Sequence, residues 1–344
     1  MENKTTIYDI AKRLNITAAT VSRALNNNPR ISKNTRKLVL ETAKEMNYEP
    51  NRLAVALKNG KSNMVGVVVP YIDRKFFSTV IGGIESELYP EGYNIIIAQT
   101  HDEEKREIEI IRNLLKSQVA GIIISVARFT KETKHFQEAI KSDVPVVFFD
   151  RRINVNKSSS VMIDDYQGSY EATKHLIEQG RKRIGHLTVD LSLEIYTNRY
   201  NGYKDAIIDS GIEFDENLVV QLRSDIEEGK RAAEKLMSLN NPPDAILSTS
   251  DYGALGAINW LRSKGYSIPE DVAVVGFSNE PFTQFMELPI SSIDQKPLDM
   301  GRTAAKLFLK KAIKGNAKAK DENIVLQPEL LVRASSQAHQ TLTN

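Results

Sequence analysis

Residues 17–26 read TAATVSRALN, from Thr17 to Asn26. Val21 and Leu25 stand four apart and share one face of a helix. The other face holds Thr17, Ala18, Ala19, Ser22, Arg23 and Asn26, all small or polar except the arginine. An amphipathic helix that only buries Val21 and Leu25 fits this spacing, and so does a helix whose outer face touches a partner. The flanks bear on the choice, although many amphipathic helices share their pattern and both readings stay open on spacing alone. Upstream, Thr6-x-x-Asp9 has the form of a capping box opening "IYDIAKRLN", with Ile7, Ile10, Ala11 and Leu14 on one face. Thr17 can cap the second helix and Ser32 a third, "KNTRKLVLETAKEMNY", with Leu38, Ala43 and Met46 expected inward. Asn27, Asn28 and Pro29 form the loop between them, and Pro50 stops the third helix. Two short helices around a tight turn, the second opening on small polar residues, make a helix-turn-helix. Ala11, Leu14, Ile16, Val21 and Leu25 then form its core. The outer hydroxyls of Thr17 and Ser22 suit phosphate oxygens, Arg23 can fork onto guanine, and Ala18 and Ala19 can pack on thymine methyls.

Charge separates the same region. Residues 1–61 carry 12 Lys/Arg against 5 Asp/Glu, a net +7, which leaves −5 on the rest of a chain whose total is +2. A basic head on a mildly acidic body suits a polyanion held by the head, although a solvated lysine-rich surface has the same charge. The 344 residues allow two or three domains of ordinary soluble composition. There is no cysteine, so disulfides, thiolate catalysis and thiolate metal sites are excluded. "MENKTTIYDI" has no apolar signal core and no apolar run is long enough to span a bilayer, so a cytoplasmic protein is expected, without membrane contact.

From Met64 the pattern changes. "MVGVVVP", "YNIIIAQT", "AGIIISV" and "VPVVFFD" read as buried strands, separated by helical periods such as "FSTVIGGIESELY" and "EKREIEIIRNLLKS". After "SSVMID" the alternation restarts, with strands "RIGHLTV", "NLVVQL", "DAILSTS" and "VAVVGFS". Continuous apolar strands alternating with helices imply parallel sheets covered on both faces. Two such sets predict two doubly wound lobes, with ligands outside the carboxyl ends of the strands.

The stretch "TIYDIAKRLNITAATVSRALNNNPRISKNTRKLVLETAKEMNYEPNRLAVAL" resembles the DNA-binding head of the lactose/galactose-repressor family of bacterial transcription regulators, and the resemblance extends over the whole chain. It implies an α/β body of two doubly wound parallel-sheet lobes, like the periplasmic sugar-binding proteins, preceded by a small all-α helix-turn-helix domain. The expected divisions are residues 1–50 for the head, 51–62 for a hinge helix and linker, and 63–344 for the body. Within the body the N-lobe is expected at about 63–162 plus 292–324, and the C-lobe at about 163–291 plus 325–340. The resemblance implies a homodimer acting as a repressor, the family's usual action, on pseudo-palindromic double-stranded operator DNA. Ala18, Ala19 and Arg23 align with base-reading positions. Thr6, Tyr8, Thr17, Thr20, Ser22, Asn26, Ser32, Thr35, Tyr48 and Asn51 align with phosphate or supporting contacts. Ala54 and Leu57 fall in the hinge, where paired leucines from two subunits unstack the central base step; Val55 departs from the Arg or Gln often found there.

In the body, the resemblance places effector contacts at Phe76, Phe77, Ser125, Asp150, Arg199, Ser250, Asp251, Ser278, Asn279 and, more weakly, Gln295. Aromatic, carboxylate, amide and guanidinium groups suit a sugar or another polar small molecule. Many sugar-responsive members have two aspartates where this chain has Ser278-Asn279. That departure leaves room for a larger, charged or phosphorylated ligand, or a nucleobase, with Glu280 as a nearby acid. No cofactor is expected.

Rival classes find little support. Gly60-Lys61-Ser62 has a phosphate-loop ending, but Val55 stands where the first glycine is required. "GFSNE" lacks the second glycine of a nucleophile elbow. His101, His135, His175, His186 and His339 show no metal spacing, so neither an enzyme nor a metal site is expected. A solute-binding protein of transport type would have no use for the head. The tail "ASSQAHQTLTN" lacks the apolar heptads of a tetramerising helix. Leu57→Ala should lower operator affinity and remove the central kink. The bend angle of the complex reads this, and an unchanged angle would contradict it.

Overall fold

The computed structural model describes residues 5–48, 62–221, 225–312 and 320–337. Asn51, Ala54, Val55, Leu57, Gly60, Lys61 and His339, and with them the hinge, lie outside the described residues. Two compact units divide between Ser62 and Asn63.

Among the described residues the first unit holds three helices, α1 (Ile7–Leu14), α2 (Ala18–Leu25) and α3 (Lys33–Glu45). Each start follows from a polar side chain. The Asp9 carboxylate accepts from the Thr6 backbone N–H at 2.8 Å, Thr17 Oγ1 accepts from Thr20 N–H at 3.2 Å, and Ser32 Oγ accepts from Thr35 N–H at 3.1 Å. Asn15, left-handed with φ 52°, ends α1 and turns the chain into α2. Ile10, Ala11, Val21, Ala24, Val39 and Ala43 form the core, with Leu14, Ile16, Leu25 and Met46 packed around it. One expectation is corrected. Leu38 is 51% exposed and Val39 takes the inward place. On a helical period Val39, Thr42, Ala43 and Met46 form the continuous stripe, and Leu38 falls to its side.

The second unit contains two six-stranded sheets. The first has the order β11-β5-β4-β3-β1-β2 and the second β12-β10-β9-β8-β6-β7. The strands are β1 (Met64–Val69), β2 (Asn94–Gln99), β3 (Gly121–Ile124), β4 (Val146–Phe149), β5 (Ser159–Ile163), β6 (Ile184–Thr188), β7 (Val219–Gln221), β8 (Ala245–Ser248), β9 (Ala273–Phe277), β10 (Ser291–Asp294), β11 (Asn323–Leu326) and β12 (Glu329–Leu331). All pairings are parallel except β10 with β12. The helices are α4 (Lys75–Leu88), α5 (Glu104–Lys116), α6 (Lys134–Lys141), α7 (Asp165–Glu178), α8 (Glu194–Asp209), α9 (Ile226–Met237), α10 (Asp251–Ser263), α11 (Phe282–Phe285) and α12 (Pro297–Ala312). Both faces of each sheet are covered. Val65, Val67 and Val69 of β1 pack with α4 and α12, while Val68 faces α5 and α6.

Strand order reverses between β1 and β3 in the first sheet and between β6 and β8 in the second, so each has a crevice at its carboxyl edge. The lobe boundaries shift from those expected. β10 lies in the second sheet, so the return crossing comes after Asp294 rather than before residue 292. β11 stays in the first sheet to Leu326, so the last crossing comes after it rather than after residue 324. Buried Ser291 and Ser292 hide β10 from a hydrophobic reading.

Helix α12 crosses α4 closely enough that a Cβ on Gly301 would meet the Val80 carbonyl, and one on Gly83 the Leu298 carbonyl. Gly301→Ala should therefore destabilise the body by about 1–3 kcal/mol and lower its melting temperature. An unchanged melting temperature would contradict this packing.

Candidate functional site

A cavity of about 780 Å³ opens at the carboxyl ends of both sheets. Its walls come from the loops at both reversal points. Tyr71 and Arg74 follow β1, Arg128 and Phe129 follow β3, Ile195 and Tyr196 come after β6, and Thr249, Ser250 and Asp251 follow β8. Of the ten effector positions expected from sequence, eight line it: Phe76, Phe77, Asp150, Arg199, Ser250, Asp251, Ser278 and Gln295.

Asp150 sits directly after β4 with φ 58°, a left-handed backbone. Its Oδ2 accepts from Ser125 Oγ at 3.2 Å and lies 3.8 Å from Arg151 Nε. Ser125 does not line the cavity; it holds Asp150. Burial raises the Asp150 pKa, with Arg151 and Arg199 opposing. Arg199, on α8, donates through Nε to Asp165 Oδ1 at 2.7 Å and through Nη1 to the Thr249 carbonyl at 3.1 Å. Its guanidinium carbon lies 3.7 Å from the centre of the Phe277 ring. Two of its five donors are engaged, so others remain for a ligand. Burial pushes the Asp165 carboxyl up to about 6 even beside this arginine.

Asp251 and Asn279 serve differently from the sequence expectation. Asp251 is fully buried, and its two oxygens accept from Ser292 Oγ at 2.6 Å and from Glu280 N–H at 2.7 Å. It secures the turn after β9 rather than offering a free carboxylate. Ser250 Oγ accepts from Gly253 N–H at 3.1 Å and caps α10. In the turn, Ser278 has φ 113° and Asn279 φ 50°. This strained path sends Ser278 and Glu280 to the cavity. Asn279 turns away from it: Oδ1 accepts from Arg333 Nη2 at 2.8 Å and Nδ2 donates to Asp294 Oδ2 at 3.3 Å.

Sequence reasoning missed a second charged group. Arg151 Nη1 bonds Asp102 Oδ1 at 2.6 Å, and Arg128 Nη2 lies 3.7 Å from the other Asp102 oxygen. The Nε atoms of both arginines are buried without a hydrogen-bond partner among the described residues. The strand-end rule marks these places, since Asp102 follows β2 and Arg128 follows β3, but says nothing about which side chains would turn inward. Glu280, which sequence placed only vaguely, lies against the Phe76 backbone N–H at the start of α4, and burial raises its pKa. Arg74 stands over the Tyr252 ring at 4.4 Å, and Arg152 forks onto Glu194 at 3.1 and 3.2 Å. These three contacts join the lobes across the cleft.

In the first unit, Thr17, Ala19, Arg23 and Asn26 are exposed along α2, with Ser22 and Thr20 half-buried. Ala18 is half-buried and leans on the core. Thr17 and Thr20 share a hydroxyl contact at 2.9 Å, as do Ser32 and Thr35 at 2.8 Å, so these four first serve as caps. Asn26 Nδ2 donates to the Ser22 carbonyl at 2.7 Å. Tyr8 is 71% exposed, Thr6 is tied to Asp9, and Tyr48 is half-buried against the core. Arg23, Arg30 and Lys33 are exposed and form no ion pair among the described residues.

Residues 6–51 match the model of the bacterial regulatory proteins of the lacI family. Residues 62–331 match that of the periplasmic binding proteins and sugar binding domain of the LacI family. The chain is 34% identical over 338 residues to the HTH-type transcriptional regulator DegA of Bacillus subtilis, covering 97% of this chain and 98% of that one. It is 34% identical over 324 residues to catabolite control protein A of Priestia megaterium, covering 94% and 96%. A solved complex of the transcriptional regulator CelR with cellobiose superposes with a TM-score of 0.73 at 27% identity, covering 96% of this chain and 100% of that one.

Burial pushes the Asp251 carboxyl up to about 7, well above the ordinary aspartate value of 3.8. A raised folded-state pKa contributes stability that is complete below the unfolded value and is lost as pH rises through about 7. A carbon-13 titration of the ligand-free protein should show an aspartate titrating at about 7, above Asp165 at about 6, and that signal should disappear in Asp251→Asn. A spectrum in which every aspartate titrates near its ordinary value would contradict it.

Proposed function

The chain belongs to the lacI family of bacterial regulatory proteins, and on that premise we propose that it represses transcription as a homodimer whose grip on an operator is set by a saccharide in the cavity. It is a DNA-binding transcriptional regulator with a small-molecule effector domain. The observation that carries the effector half is the convergence of Asp150, Arg199 and Gln295 with Phe76 and Phe77 on one cavity at the strand ends. Carboxylate, guanidinium and amide groups fix hydroxyl directions, and rings take the apolar face of a sugar. A similar protein, CelR, is known in complex with cellobiose.

The DNA half rests on α2. Its outer face, with Arg23 free of ion pairs among the described residues, is shaped for the major groove. Thr17, Thr20, Ser22, Asn26, Ser32 and Thr35 lie at the starts of α2 and α3 or along α2, where exposed N–H groups and hydroxyls suit phosphates. Asn51, Ala54 and Leu57 complete the proposed contacts from the hinge. A chromosomal target places the protein in the cytoplasm, and the cavity has a binding role rather than a catalytic one.

Arg23→Ala should weaken operator binding by about 1–3 kcal/mol and relax one base preference, whereas Lys33→Ala should weaken all sequences alike. Equal losses for both variants on operator and random DNA would remove the assignment. Arg199→Ala should abolish the response to effector while the protein still binds operator. Gel-shift titrations read both, and a variant responding at the same effector concentration would take Arg199 out of the site.

A further inference from the structure

Phe129 is 55% exposed, yet it is one of the rings lining the cavity. Nothing in the packing accounts for a phenylalanine held in water there. The segment that carries it is nevertheless fastened with unusual care. Glu107, fully buried on α5, accepts from Ala127 N–H at 2.6 Å, from Thr130 Oγ1 at 3.0 Å and shares a 3.0 Å contact with His135 Nε2. Asp102 Oδ1 accepts from Arg128 N–H at 3.0 Å. Glu104 Oε1 accepts from Lys131 N–H at 2.6 Å and from Glu132 N–H at 2.8 Å.

Three carboxylates from one neighbouring stretch therefore hold residues 127–132 on both sides of the ring. A buried carboxylate is costly unless its bonds are met. Here those bonds fix a loop that contributes little to the core. This is the pattern of a preorganised contact, in which the ordering is complete before a ligand arrives. The place is consistent with that. β3, β1 and β2 are neighbours in the sheet, so Phe129 rises from the same edge as Tyr71 and His101, whose rings meet edge to face at 6.0 Å. Asp150, Arg199, Gln295, Phe76 and Phe77 are all buried, whereas Phe129 is open to solvent. The cavity of about 780 Å³ falls in the upper part of the range for drug-sized ligands, about 300–1,000 Å³.

Resting on the saccharide reading above, we infer that Phe129 forms an outer subsite and stacks on the second ring of the ligand, so that the effector is a saccharide of at least two rings. The buried groups take the first ring. Phe129, on its clamped loop, takes the apolar face of the next and sets the preference for chain length.

Isothermal titration of the full chain with glucose, galactose, cellobiose, maltose, lactose and maltotriose tests this. At least one disaccharide should bind about tenfold more tightly than its component monosaccharides. Phe129→Ala should remove that gain and leave monosaccharide affinity where it was, and Phe129→Tyr should keep the gain. The melting temperature of Phe129→Ala should match the parent, because the ring is exposed. A disaccharide affinity unaffected by Phe129→Ala, or an equal loss for one and two rings, would overturn the subsite. Monosaccharides binding as tightly as every disaccharide would overturn it while leaving the saccharide reading intact. If none of the six sugars bound the parent chain, the saccharide reading itself would fall, and the subsite with it.

Discussion

The constraint on which the body depends is that a parallel sheet must be covered on both faces. Its strands read as unbroken apolar runs, and the crossover helices that join them cover the faces. Only the strand ends stay open. Where the strand order reverses, at β1/β3 and β6/β8, two successive loops part and leave a crevice. Polar side chains that follow the strands collect there because they have nowhere else to go. The chain passes between the lobes three times, at Asp164, at Gln295–Lys296 and at Gln327–Pro328. Any rotation of one lobe against the other must be absorbed at these short crossings. Gln295 is both a crossing residue and a cavity wall, so a ligand that bonds it acts on the crossing between the lobes.

Charge in the cavity obeys the same economy of partners. Arg199 is buried, and Asp165, the Thr249 carbonyl and the Phe277 ring together compensate its desolvation. Asp251 is buried as a tie for the turn after β9. Asp150 has an oxygen to offer, since Ser125 engages only Oδ2. A ligand thus meets a wall whose groups are already oriented, and spends little on arranging them.

Much of this was legible in the sequence. The alternation of apolar runs and helical periods identified eight of the strands, and eight of the ten effector positions expected from the family resemblance line the cavity. The failures have physical causes. β10 carries two buried serines, Ser291 bonded to Ser335 and Ser336 and Ser292 bonded to Asp251, so no hydrophobic run announces it. Asn279 follows a residue with φ 113°, and no sequence rule says that this turn points it toward Arg333. Asp102 and Arg151 are 49 residues apart and meet only because β2 and β4 lie in one sheet. Leu38 and Val39 are adjacent, and the one-residue difference decides which faces the core.

The chain as a whole separates two kinds of recognition by charge. The first 61 residues carry +7 and the remainder −5, so attraction to a polyanion is confined to the head while the body stays free to bind a neutral ligand. The claim that the head docks on duplex DNA is tested most directly by fluorescence anisotropy of the full chain on its own promoter fragment over a range of salt concentrations. Each phosphate neutralised should contribute about −0.9 to the slope of log K against log salt, so a steep linear decline is the predicted result. An absence of salt-sensitive association with that fragment, and with any other double-stranded DNA, would contradict the account.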